Sequence, residues 1–168
     1  MNSITLKSLS IDDQSALHLF ECENRSYFER FVPSRGDTYY DSQGFNHALD
    51  RLLTEQIEGK GRYYLIWNND TIIGRMNVHS SRDGVGEVGY RIGEDYSGRG
   101  YATSALRQLL ALHLPEYVEL IAETLTNHHA SRRVLMRAGF TRNNQVRQVE
   151  WEGQTLSFYT FVYRFMNR

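Results

Sequence analysis

A chain of 168 residues with 40% hydrophobic and 23% charged residues can bury a sizeable core, which sets aside disordered and collagen-like classes. The 19 Lys and Arg against 20 Asp and Glu leave a formal net charge of -1, so no charge surplus selects nucleic acid or an anionic membrane as partner. The single cysteine, Cys22, excludes an internal disulfide and a cysteine-built zinc site; its helical pattern points to a buried or half-buried bystander thiol.

The residues Met1 to Ser8 hold no apolar stretch of signal-peptide length. Ile4 and Leu6 alternate with polar residues and suggest a short strand. Ser10-Ile11-Asp12-Asp13 resembles a capping box, and Leu17, Phe20, Asn24, Tyr27, Phe28 and Phe31 follow at helical spacing up to Pro33. The residues Pro33 to Asp41 read as a loop. Phe45, Ala48, Leu49, Leu52, Leu53 and Ile57 repeat on one helical face until Gly59. Tyr63–Trp67 and Thr71–Val78 flank an Asn/Asp turn as a hairpin, and Val85–Ile92 continues it as a meander.

Ala102, Ala105, Leu106, Leu109 and Leu110 predict a third helix closed by Pro115; Arg107, Gln108 and His113 keep this most apolar tract from spanning a bilayer. Val118–Leu125 reads as a strand, and Val134, Leu135 and Ala138 as a fourth helix with Gly139 at its C-terminal cap. Val146–Trp151 and Thr155–Tyr163 flank Glu152-Gly153 as a second hairpin, whose edges offer a pairing site to a second subunit, so the chain is expected as monomer or homodimer. The expectation is one α+β domain over residues 1–168, a mixed, mostly antiparallel sheet flanked by about four helices, in the cytoplasm.

The densest signal is Gly89-Tyr90-Arg91-Ile92-Gly93-Glu94-Asp95-Tyr96-Ser97-Gly98-Arg99-Gly100-Tyr101-Ala102-Thr103. A strand here runs into a glycine-spaced turn that opens a helix. The first amides of a helix lack intrahelical partners and carry partial positive charge, and glycines let an anion approach them. A tight turn that merely requires positive φ is the competing explanation for an isolated glycine pair. A dinucleotide fold is excluded, since Thr103 stands where the third glycine of GxGxxG belongs and the preceding strands form hairpins. No Gly-Lys-Ser/Thr occurs, which excludes a P-loop.

This stretch resembles the acetyl-CoA-binding segment of the GNAT N-acetyltransferases, and most the branch of the ribosomal-protein-alanine N-acetyltransferases. Ala122-Glu123-Thr124, Ala130-Ser131-Arg132-Arg133-Val134-Leu135 and Ala138-Gly139-Phe140 follow in that branch's order and spacing. The resemblance spans essentially the whole chain and implies the GNAT fold with acetyl-CoA as donor; no metal is expected, because the adjacent His128 and His129 rarely converge on one ion and no Cys or clear carboxylate cluster accompanies them. It implies that Gly98, Arg99, Gly100, Tyr101, Ala102 and Thr103 wrap the CoA diphosphate through main-chain amides. Tyr90, Arg91 and Ile92 would pair by backbone with the pantetheine arm, and Asn127 or His128 would add a polar contact. Ser97 departs from the Gln or Arg that often heads the motif.

Ser131 matches the serine placed near the CoA sulfur, where its hydroxyl would donate to the leaving thiolate; satisfying local helix amides is its structural alternative. Glu87 is the candidate base, partly buried and raised toward neutrality, against the alternative of a solvent-facing strand glutamate. The segment Asn24 to Phe31 with Pro33-Ser34-Arg35 resembles one that the branch lays over the acceptor cleft. Arg25, Arg35, Tyr39 and Tyr40 are the candidate acceptor contacts. The implied reaction is direct attack of a primary amine, foremost a protein N-terminal α-amine. A small-molecule amine as acceptor, or a non-catalytic acyl-CoA sensor, are the alternatives.

Overall fold

The computed structural model describes residues 3–166; Met1 and Asn2 of the leader reading lie outside them. Seven strands form one sheet in the order β1-β2-β3-β4-β5-β7-β6. They are β1 (Thr5–Ser8), β2 (Gly61–Asn68), β3 (Thr71–Arg82), β4 (Val85–Ile92), β5 (Glu119–Leu125), β6 (Thr141–Trp151) and β7 (Gln154–Arg164). Only β4 and β5 run parallel; the other neighbours are antiparallel.

Five α-helices accompany them: α1 (Gln14–Phe28), α2 (Asp37–Tyr40), α3 (Ser42–Ile57), α4 (Tyr101–Ala111) and α5 (His129–Arg137). The expected α+β, mostly antiparallel architecture is therefore present, with one helix more than the four anticipated. The addition is α2, inside the stretch Pro33 to Asp41 read as a loop. This single turn has no apolar periodicity to announce it; the Asp41 side chain, accepting from the Gly44 amide at 2.7 Å, ends it and caps α3. The last hairpin also starts earlier than expected, at Thr141, because an irregularity between Arg142 and Val146 breaks its alternation.

The tract Tyr63-Tyr64-Leu65-Ile66 is almost wholly buried because it feeds two cores. Tyr64 and Ile66 point to one face, where Met76, Val78, Val88, Leu120 and Phe161 meet Ala105, Leu106 and Leu109 of α4 and Leu135 of α5. Tyr63 and Leu65 point to the other, where Leu17, Phe20 and Phe28 of α1 meet Phe45 and Leu49 of α3. The expected capping box forms ahead of α1: Ser10 Oγ accepts from the Asp12 amide and Asp13 accepts from the Ser10 amide at 2.9 Å. Cys22 falls on the outer side of α1 and is exposed, not buried as expected; its neighbour Glu21, on the inner side, is the buried one. Gly139 (φ 99°) ends α5 as anticipated, its amide donating to Met136 while Phe140 donates to Leu135. No helix among the described residues is long and apolar enough to cross a membrane.

Candidate active site

β4 and β5 share only three register pairs, Val85 with Glu119, Gly86 with Leu120 and Glu87 with Ile121. Beyond them β4 continues along β3 to Ile92, and β5 continues along β7 to Leu125. The facing edges, residues 88–92 and 122–125, therefore diverge and leave backbone donors and acceptors for an extended ligand. Tyr90, Arg91 and Ile92 lie on the β4 side of this gap.

At the end of β4 the chain turns through Gly93 to Ser97 and reaches Gly98 and Gly100, at φ 73° and 84°. These left-handed angles suit glycine, and no atom lies within 4 Å of where a Cβ would stand at either. The first bond of α4 runs from the Ser104 amide to the Gly100 carbonyl, leaving the amides of 101 to 103 without helical partners. Tyr101 and Thr103 turn their side chains into the core, so the cradle is a main-chain surface, while Arg99 stays on the outside. Both the turn and the anion-cradle explanations of the glycines are thus compatible with one open concavity.

Period-two alternation sends Val88 and Tyr90 to the α4–α5 face and Glu87, Gly89 and Arg91 to the α1 face. The Tyr90 hydroxyl lies 3.0 Å from Ser131 Oγ, in the first turn of α5, and donates to the Ser131 carbonyl at 3.3 Å. Burial pushes the Tyr90 phenol up to about 12, the Ser131 hydroxyl pulling slightly the other way, so it stays protonated at neutral pH. The sequence offered Tyr90 only as backbone; the clue to its hydroxyl was its place, two residues after Val88 on the face that α5 covers.

Glu87 lies on the opposite side of the gap and is exposed, in place of the partial burial expected of it. Its electrostatic neighbour is Arg147, which forks onto Glu123 at 2.8 and 2.5 Å. Asn127 is exposed, whereas His128 is half-buried with its ring stacked on Phe31 at 4.9 Å. Burial, reinforced by His129, holds the His128 imidazole below its ordinary value. No group of three or more His, Cys, Asp or Glu side chains converges among the described residues.

The last turns of α1 and the residues after it fasten to both walls of the gap. Tyr27 donates to Ser97 Oγ at 2.9 Å, Arg30 pairs with Glu94 at 3.3 Å, and Phe31 reaches His128. Asn24 Oδ1 accepts from the Glu94 amide at 2.9 Å, and Gly93 lets α1 come close. The four anticipated acceptor residues separate into two groups. Arg25 is held by Glu29 (2.9 Å) and Asp37 (2.6 Å) above the Tyr40 ring, which meets the Tyr39 ring edge-on at 5.0 Å. Arg35 and Tyr39 instead join a cluster the sequence did not announce, centred on the fully buried Glu21. Glu21 pairs with Arg75 at 2.6 Å, Arg91 at 3.3 Å and Arg35 at 4.0 Å, while the Tyr39 phenol accepts from Arg35 at 2.5 Å and Arg75 at 3.2 Å. A carboxylate inside the Leu17, Phe20, Asn24, Phe28 stripe was the available signal.

The model of the family described as acetyltransferase (GNAT) domain matches residues 3–141. The chain is 25% identical over 154 residues to the probable N-acetyltransferase YjcK of Bacillus subtilis, covering 87% of this chain and 84% of that one. In fold it is similar to the ribosomal-protein-S5-alanine acetyltransferase of Vibrio fischeri, with a TM-score of 0.86, 16% identity and coverage of 96% and 92% of the two chains. It is equally similar to RimL, a ribosomal L7/L12 α-N-protein acetyltransferase solved with coenzyme A: TM-score 0.87, 16% identity, coverage 98% and 95%.

Proposed function

The chain belongs to the acetyltransferase (GNAT) domain family, and on that premise we propose that it moves the acetyl group of acetyl-CoA to a protein N-terminal α-amine, by direct attack in a ternary complex within one catalytic domain over residues 1–168. The observation that carries the reading is the Tyr90–Ser131 hydroxyl pair, 3.0 Å apart, at the mouth of the β4–β5 gap. The residues present fit the donor. The Gly98–Gly100 turn has open space where a Cβ would exclude a diphosphate, and the amides at the start of α4 face it. The diverging edge at Tyr90, Arg91 and Ile92 suits an extended amide-bearing arm, with Asn127 or His128 beside it.

When bound, acetyl-CoA supplies a thioester carbonyl ready for acyl transfer. The amine nitrogen forms the new C–N bond as the C–S bond breaks, and the electron pair leaves on sulfur. Ser131 donates a hydrogen bond to that sulfur, with the Tyr90 hydroxyl supporting its oxygen from behind. Glu87, on the other side of the sheet, takes the surplus amine proton through water. A base on one face and a thiolate partner on the other match attack through the gap, and no activated nucleophile stands between them for a covalent intermediate. The L7/L12 and S5 acetyltransferases it resembles support a protein amine as acceptor.

Thermal unfolding with acetyl-CoA, NAD or ATP tests the donor, and mass spectrometry of an N-terminal peptide panel tests the acceptor. Acetyl-CoA alone should raise the midpoint, since ligand at about 100 times its dissociation constant stabilises by roughly 2.7 kcal/mol. No shift with acetyl-CoA refutes the donor assignment; a shift with no acetylated peptide refutes the acceptor.

A further inference from the structure

Two charge clusters sit at the front of the sheet with opposite balance. Around Arg25 one guanidinium faces two carboxylates, Glu29 and Asp37. Around Glu21 one carboxylate faces three guanidiniums, those of Arg75, Arg91 and Arg35. Glu21 can neutralise one of the three. The exposure is graded: the side chains of Glu21 and Arg75 are sealed at 0% and 4%, and those of Arg91 and Arg35 open to 20% and 32%. The unmatched charge is thus the accessible part.

Its direction follows from β4. Arg91 shares the α1 face with Gly89, which is exposed and has nothing within 4 Å of where a Cβ would stand. Tyr90, between them, sends its hydroxyl the other way to Ser131. The surplus cations therefore border the reacting gap on the side from which an amine would come. Both are held in place: Arg91 lies over the Phe28 ring at 4.7 Å and Arg35 over the Tyr39 ring at 4.6 Å. Burial holds Arg91 below the usual arginine value; Glu21 opposes this, and Arg35 and Arg75 reinforce it.

We infer that Arg91 and Arg35 form an anion subsite of the acceptor, so that the amine this protein acetylates carries a carboxylate or phosphate near it. The inference rests on the acetyl-transfer reading above and specifies its acceptor. Adjacent same-face positions on a strand are about 6.6 Å apart. An amine over Gly89 with an anion at Arg91 has the reach of an N-terminal amine and the side chain of the second residue in an extended peptide. Arginine forks suit the two oxygens of a carboxylate or phosphate, and Glu21 orients the forks from behind.

Catalytic efficiency on N-terminal peptides identical except for Glu, Gln or phosphoserine at position two tests this, alongside the small pairs aspartate α-amide/asparagine α-amide and O-phosphoserine α-amide/serine α-amide, whose blocked α-carboxyl leaves the side chain as the only anion. The anionic member of a pair should be preferred about tenfold or more, as a charge-assisted contact gives. The preference should collapse toward one in Arg35→Gln, persist in part in Arg35→Lys, and fall with added salt. Preference within the peptides supports the inference together with the protein acceptor. Preference confined to the small amines supports the anion subsite but removes the protein acceptor. Equal use of anionic and neutral members in both panels, or a preference that survives Arg35→Gln, overturns it, while acetyl-CoA binding and turnover of the neutral members leave the acetyltransferase reading standing.

Discussion

Replacing Glu21 by Gln keeps its shape and one oxygen for the Arg75 donor at 2.6 Å but removes the one negative charge that Arg75 and Arg91 meet among the described residues. Removing one partner of a buried ion pair costs about 3–5 kcal/mol. Arg91 and Arg35 keep some access to water and the amide keeps a hydrogen bond, so the lower end, about 3 kcal/mol, is expected at neutral pH. At about 2–4 °C per kcal/mol for a chain of this size, the thermal midpoint should fall by roughly 6–12 °C. The cost has a pH signature. Burial alone would raise the Glu21 carboxyl, but Arg75, then Arg91 and Arg35, overcome it and hold it below the ordinary 4.5. A depressed carboxyl contributes stability that is complete above its unfolded value and is lost as pH falls through its folded one. The gap between wild type and Glu21→Gln should therefore stay constant from pH 7 to about 5 and narrow below 4.5. Circular dichroism melts across pH 7 to 3 read both. A loss under about 1 kcal/mol at pH 7, or a gap that ignores acid, would refute the charge accounting.

Tyr90→Phe and Ser131→Ala should each lower kcat by at least about tenfold while acetyl-CoA still raises the melting temperature. The double variant should lose little more than the worse single one, because the two hydroxyls act as one relay; full additivity in stopped-flow or steady-state rates would separate them. Gly100→Ala places a methyl at φ 84° in open space, so the unliganded protein should lose about 1–2 kcal/mol from the left-handed backbone alone. The stabilisation by acetyl-CoA should nonetheless largely disappear, since that methyl stands over the amide cradle; a retained ligand shift argues that the diphosphate lies elsewhere.

Local chemistry carried the reading of the sequence furthest. The capping box at Ser10, the Asn/Asp turn of the first hairpin, the glycine stop after α5 and the apolar stripes of α3 and α4 each act within a few residues, and each stands where the pattern placed it except Ile57, which the last turn of α3 leaves exposed. The glycine turn was legible for the same reason, since positive φ and open space are properties of the residues themselves. What escaped depends on partners distant in the chain. Glu21 meets Arg75 and Arg91 across 54 and 70 residues, and Tyr90 meets Ser131 across 41. Arg35 and Tyr39 were singled out, yet their grouping apart from Arg25 and Tyr40 follows from where β3 and β4 set their arginines. Cys22 and Glu21 are neighbours whose burial is reversed from what polarity suggests, because a buried network outweighs the residue's own preference.

The strand order has a consequence for how the molecule assembles. β7, seventh in the chain, lies inside the sheet between β5 and β6, and its Phe161 is 1% exposed in the core beneath α4 and α5. Until residues 154–164 arrive, β5 has an empty flank and β6 has no neighbour at all. The half of the sheet that holds one wall of the β4–β5 gap is thus completed from the middle, by the last strand in the chain, through pairings such as Glu119 with Arg164 that close a loop of 45 residues. Long closures of this kind make folding slow, and the β5 wall of the β4–β5 gap is flanked on both sides only once β7 has paired with it.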